Sequence, residues 1–87
     1  MTDFGEVCDW LLKTVRLIAD YPDEVVVEAV PGDQQVTLRI RANPKDVGKV
    51  IGRQGRTSQS IRVLVGTMGK KLNWRFIVDI NEDNKSL

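Results

Sequence analysis

Two glycines three residues apart, Gly52 and Gly55, fall where the sequence reads as helix on both sides. The stretch Val50-Ile51-Gly52-Arg53-Gln54-Gly55-Arg56 leaves an apolar helical turn, passes through a Gly-x-x-Gly loop and enters a second helix. Glycines at this spacing let the backbone turn sharply and leave room for a ligand to come close. A helix starting at the second glycine aims its free N–H groups and positive dipole end into the loop. That arrangement suits a phosphate backbone. Taken alone, the tetrapeptide is better explained as an ordinary tight turn between helices, because glycine is the default turn residue. The surrounding charge reverses that order.

The formal net charge is only +1, but it is unevenly spread. Residues 1–38 carry two cations and eight anions, whereas residues 39–71 carry nine cations and one anion, Asp46. The Gly-x-x-Gly loop lies inside this basic block. A basic block can be a solvated surface. One centred on an anion-shaped loop implies a polyanionic partner.

The rest of the chain reads as a small α+β domain. Asp3 and Glu6 form a capping box for a first helix whose buried face is Phe4, Val7, Cys8, Leu11, Val15 and Ile18. Trp10 and Leu17 fall off that face, and Tyr21-Pro22-Asp23 ends the helix. Val25–Val30 and Val36–Ala42 read as strands joined at Pro31-Gly32-Asp33 into an antiparallel hairpin. Asn43 and Pro44 are the N-cap and first residue of a short helix burying Val47, Val50 and Ile51. After the loop, Ile61, Leu64, Val65 and Met68 mark the buried face of a third helix over 57–69, which Gly66 and Gly69 weaken. Leu72, Trp74, Phe76, Val78 and Ile80 alternate as a last strand. The order is α-β-β-α-α-β. A right-handed crossover makes the last strand parallel to Val36–Ala42, giving a three-stranded mixed sheet with three helices on one face.

The expected organisation is one domain over 1–87, with an N-terminal helix over 1–22, the sheet and helix pair over 23–80, and a polar tail over 81–87. No apolar run reaches the ~20 residues of a membrane span, and the acidic N-terminus is not a secretory signal. With no histidine and one cysteine, neither a disulfide nor a structural zinc site is expected, which favours the cytoplasm. No cofactor is implied.

These residues resemble a KH domain, in which a helix, a Gly-x-x-Gly loop and a second helix clamp about four nucleotides of single-stranded nucleic acid. The element order is that of the type II, bacterial KH fold. More narrowly, Tyr21-Pro22-Asp23 before a valine-rich strand, the segment Pro44 to Gly48, Gly52-Arg53-Gln54-Gly55-Arg56 and Ser60-Ile61-Arg62 resemble the small single-domain proteins of the KhpA family, over nearly the whole chain. The general KH pattern has an aliphatic residue where this chain has Ser58, a position at which small residues are usual in the narrower group. The resemblance implies a non-catalytic, cytoplasmic protein that binds single-stranded RNA and forms homodimers. It also implies association with a second KH protein of the Jag/KhpB type, and control of cell division, elongation and shape through RNA, as a regulator or RNA chaperone.

The implied RNA-binding residues are Gly52, Arg53, Gln54 and Gly55, flanked by Lys49 and Arg56. Lys49 and Arg56 are explained equally well as solvated surface. Trp10 and Trp74 could stack on bases, but core packing is the simpler role. Arg39 and Arg41 are expected on the other face of the sheet. A second stripe on the third helix, Gln59, Val63, Gly66 and Lys70, is a candidate dimer contact. The alternative is a protein-interaction module that docks a partner KH protein and binds RNA weakly. Helix-turn-helix DNA binding fits less well, because Ser60, Val63 and Thr67 are not a row of base-reading side chains. An enzyme is not expected: there is no Walker-type loop and no carboxylate pair near the basic block.

Overall fold

A computed structural model describes residues 4–80; Asp3, expected to cap the first helix, and the tail lie outside the described residues. The first helix, α1, spans Phe4–Ile18 and buries Val7, Leu11 and Val15 at i, i+4 spacing. Phe4 and Cys8 pack at the edge of the core, and so does Trp10, whereas Leu17 is 89% exposed. A single 3-10 turn, Pro22–Glu24, leads into β1, Val26–Pro31. Val25, expected as the first strand residue, is buried just ahead of it. Pro31 closes a strand at the sheet edge, where its missing N–H costs no ladder bond. Gln34, with φ of 64°, turns the chain into β2, Gln35–Arg41.

The sheet order is β1-β2-β3, with β3 spanning Arg75–Ile80. β1 runs antiparallel to β2, pairing Ala29 with Leu38, and β3 runs parallel to β2, pairing Leu38 with Val78. The parallel pairing is the one the crossover rule requires. Val36, Leu38, Ile40, Val78 and Ile80 form one buried cluster with residues of all three helices. Arg39, Arg41 and Asp79 are exposed on the opposite side, as expected for the two arginines, and Arg39 Nε stands 3.9 Å from the Asp79 carboxylate.

The helix after the loop differs from its sequence reading at both faces and at its end. It spans Arg56–Leu72 and is α3; the helix before the loop, Pro44–Ile51, is α2. Leu72 belongs to the helix rather than to the last strand. It lies seven residues after Val65 and four after Met68, so it continues the helical stripe as well as it would start a strand. The helix stops at Asn73 in the left-handed conformation, φ 60°, a common C-terminal signal. Leu64, expected inside, is 49% exposed. The seam instead follows Ser58, Ile61, Val65 and Gly69.

Gly69 explains this rotation. A Cβ there would overlap the Trp74 carbonyl oxygen and sit 3.0 Å from Phe76 Cδ2. The missing side chain lets α3 close onto the start of β3. Gly66, one turn earlier, faces open space. The two glycines therefore predict opposite effects. Gly66→Ala should raise stability by about 0.5–1 kcal/mol through helix propensity. Gly69→Ala should lower it by about 1–3 kcal/mol, the usual cost of overpacking. Urea unfolding of the two variants checks the signs.

Candidate nucleic-acid interface

Position 43 sets where the interface begins. The Asn43 side chain accepts the Lys45 N–H at 2.8 Å and Pro44 follows as the first helical residue, so α2 starts as the sequence indicates. One turn in, Asp46 is fully buried. Its two carboxylate oxygens each accept a backbone N–H, from Asp20 and from Tyr21, both at 3.0 Å. Those amides follow the last turn of α1, so the carboxylate ties the end of α1 to the start of α2. A buried charge persists only when its lone pairs are used, and here they are.

Lys49, on the next turn of α2, pairs with the Asp20 side chain. That hydrogen bond raises its pKa above the ordinary 10.5, against a smaller opposing effect of desolvation. Because the folded-state pKa is raised, the pair contributes fully below pH 10.5 and is lost only as pH rises through the higher folded value. The bridge is therefore intact at neutral pH, and Lys49 is less available to a ligand than its sequence position suggests.

The loop follows directly. Gly52 has φ of 82° and caps α2 with its N–H on the Gly48 carbonyl. A Cβ at Gly52 would also lie 2.7 Å from the Thr57 nitrogen, so both conformation and space require glycine. Gln54 is left-handed at φ 57°, and Gly55 at φ 76° is the N-cap of α3. With no side chain, Gly55 offers the first-turn amides of α3 no cap. Ser58 is buried and donates its hydroxyl to the Gly55 carbonyl at 3.1 Å, which accounts for a serine at this position.

Arg53, Gln54 and Arg56 are exposed around this turn, with Arg56 Nη2 donating to Gln54 Oε1 at 3.3 Å. An open cleft of about 830 Å³ runs from Gln54 and Gly55 along α3 past Gln59, Arg62 and Val63. Among the described residues the ion pairs are Arg39–Asp79 and Lys49–Asp20, so Arg53, Arg56 and Arg62 face no carboxylate partner there. Val50 is buried beneath the loop and Ile51 is half-buried beside it. Trp74 packs edge-to-face on Phe4, with centroids 5.8 Å apart, and so serves as core. The structure thus brings Gly52, Arg53, Gln54, Gly55 and Arg56 to one projecting turn and sets Lys49 aside. Gln59, Val63, Gly66 and Lys70 are all exposed on α3; Gln59 and Val63 line the loop's cleft, whereas Gly66 and Lys70 lie farther along the helix and line a second one with Asn73 and Trp74.

The family model described as KhpA/KhpB, KH domain, matches residues 9–80. The chain belongs to the KhpA/KhpB KH-domain family. An RNA-binding protein KhpA of Clostridium acetobutylicum is 42% identical over 71 residues, 80% of this chain and 95% of its own length. A protein of the same name from Borreliella burgdorferi is 34% identical over 80 residues, covering 92% of this chain and 98% of its own. The Aquifex aeolicus RNA-binding protein KhpA is 33% identical over 69 residues, 79% of this chain and 87% of its own. No solved structure gives a significant match.

Within this KH domain the residue the sequence reading passed over is Asp46. A signal was present. It is the one anion among nine cations, and it sits four residues before Val50, on the stripe that faces the core. Its neighbour in space, Asp20, gives a direct test of the Lys49 assignment. Asp20→Asn keeps the backbone amide that Asp46 uses but releases Lys49. If Lys49 then meets a phosphate, the log–log salt dependence of RNA affinity should steepen by about 0.7, the value for one added contact on a single strand. An unchanged slope would remove Lys49 from the interface.

Proposed function

We propose that this chain binds short single-stranded RNA through its Gly-x-x-Gly loop, without catalysis. The observation that carries the reading is the loop itself: two glycines and Gln54 at positive φ, and exposed Arg53 and Arg56, with no acidic partner among the described residues, at a start of α3 that no side chain caps. A sugar–phosphate strand can lie against glycine backbone, meet the arginines, and receive the first-turn amides. The names of the relatives support RNA as the polyanion. The cytoplasm is the proposed compartment; among the described residues no helix is long and apolar enough to cross a membrane. Control of cell division or elongation, as a regulator or RNA chaperone working with a second KH protein of the Jag/KhpB type, completes the proposal.

Replacing Arg53 and Gln54 together by aspartate tests it. Aspartate tolerates the left-handed conformation that Gln54 adopts, and both side chains are exposed, so each change should cost at most about 0.5 kcal/mol of stability. RNA binding should be largely lost while the thermal melt is kept. In the parent, about three neutralised phosphates should give a log–log salt slope near −2. Unchanged RNA affinity in the double variant, or no salt dependence in the parent, would overturn the reading. A collapsed melt would make the loop a purely structural turn.

A second reading, a module that works mainly by protein contact, is favoured by one feature of α3. Val63 is 60% exposed and Leu64, expected in the core, is 49% exposed beside it. We assign the stripe Gln59, Val63, Gly66 and Lys70 to a symmetric dimer contact, with Gly66 allowing close backbone approach. Val63→Glu should give a folded monomer by sedimentation. A parent that is monomeric at every concentration, or a dimeric Val63→Glu, would remove the stripe from the interface.

A further inference from the structure

The second cleft lies at the end of α3 away from the loop. It encloses about 760 Å³ between the last turns of the helix, the start of β3 and Gln34 of the β1–β2 turn, and it shares no lining residue with the cleft beside the loop. Gly66 and Gly69 both line it, so the helix presents no bulky side chain across one turn of that wall. Trp74 and Phe76 are half-buried, which leaves part of each ring to the cleft. Lys70 and Arg75 are exposed beside them, and neither has an acidic partner among the described residues. Gln34 and Asn73 add two side-chain amides, each on a residue that turns the chain at positive φ. No carboxylate is among the lining residues.

These groups together suit one class of ligand. Aromatic rings receive a flat base, cations receive a phosphate, and side-chain amides offer both donors and acceptors to a base edge. A nucleotide has all three features. An acidic peptide would answer the cations alone, and an apolar molecule the rings alone. The negative end of the α3 dipole opposes an anion here by about half a charge. Lys70 and Arg75 on the cleft, with Lys71 in the same last turn, outweigh it. Lys70 stands about 22 Å along the helix axis from Gly55, so the cleft is a place apart from the phosphate contacts of the loop.

We propose that this cleft is a second nucleotide site, in which Trp74 and Phe76 receive the base, Gln34 and Asn73 its edge, and Lys70 and Arg75 the phosphate. The nucleotide is either a free one or part of an RNA strand that leaves the loop. The second source rests on the loop as the RNA clamp; the first does not.

NMR titrations read at the indole N–H of Trp74 test this and separate the sources. Adenosine monophosphate probes the free nucleotide, and adenosine tetramer and dodecamer RNAs probe the strand. Adenosine monophosphate should move the Trp74 signal of the parent. Arg75→Gln should weaken its binding about fivefold with the melt unchanged, as loss of an exposed charge-assisted contact. If only the RNAs move the signal, the source is the strand, and Arg75→Gln should lower the log–log salt slope for the dodecamer by about 0.7. Arg75 lies off the stripe assigned to the dimer contact, so its variant should sediment like the parent. A Trp74 signal that no probe moves overturns the proposal; so does a folded Arg75→Gln protein that binds every probe like the parent. The double-aspartate loop variant keeps the two sites distinguishable. Loss of the tetramer with adenosine monophosphate still bound supports both. Tetramer binding like the parent's overturns the clamp, while a Trp74 shift that Arg75→Gln weakens still upholds the cleft. Adenosine monophosphate lost along with the tetramer places the nucleotide on the loop and overturns the cleft.

Discussion

The Asp46 carboxylate is the constraint on which the rest of the structure depends. Two segments distant in sequence meet at it: the link at Asp20 and Tyr21 that leads from α1 toward β1, and the first turn of α2. Removing its oxygens would take the acceptor from two part-buried backbone amides, at a cost of about 1 kcal/mol each. The cost would not stay local. The orientation of α2 decides where its C-terminus delivers Gly52, and therefore where the loop projects. A buried carboxylate thus fixes the geometry of a surface turn that begins six residues later at Gly52, with Val50 packed beneath it.

The division of labour along the loop is equally physical. Gly52 is held by both its φ and its closeness to Thr57, so the turn requires a glycine there. Arg53 projects freely, and its chemistry can change without disturbing the turn. Gln54 occupies a conformation that is uncommon for a residue with a side chain.

Much of this was legible in the sequence. The strand pairing followed from alternation and from the handedness of the crossover, and the start of α2 from Asn43-Pro44. The projecting turn followed from the spacing of two glycines in a basic block. The failures share one cause: they depend on tertiary distance. Leu64 and Leu72 fit the helical period well enough to be placed on either side of a boundary, and only the approach of Gly69 to Trp74 decides between them. The pairing of Lys49 with Asp20 could not be read either, because the two are 29 residues apart in sequence. Asp46 was hidden for the same reason, since its partners are backbone amides that no side-chain pattern reveals.

The parallel pairing of β2 with β3 has a consequence for biogenesis. β1 and β2 are neighbours in sequence and can pair as soon as both have emerged from a ribosome. β3 follows only after the entire α2–loop–α3 crossover, and such non-local pairings form slowly. Until then the inner edge of β2 and the apolar side chains of Val36, Leu38 and Ile40 have no cover on that flank, a state in which nascent chains are prone to associate wrongly. The Gly52–Gly55 turn lies within that crossover, so it must be shaped before the domain can close. Damage to Gly52 would first be felt as a defect in the yield of folded chains, upstream of any defect in what those chains bind.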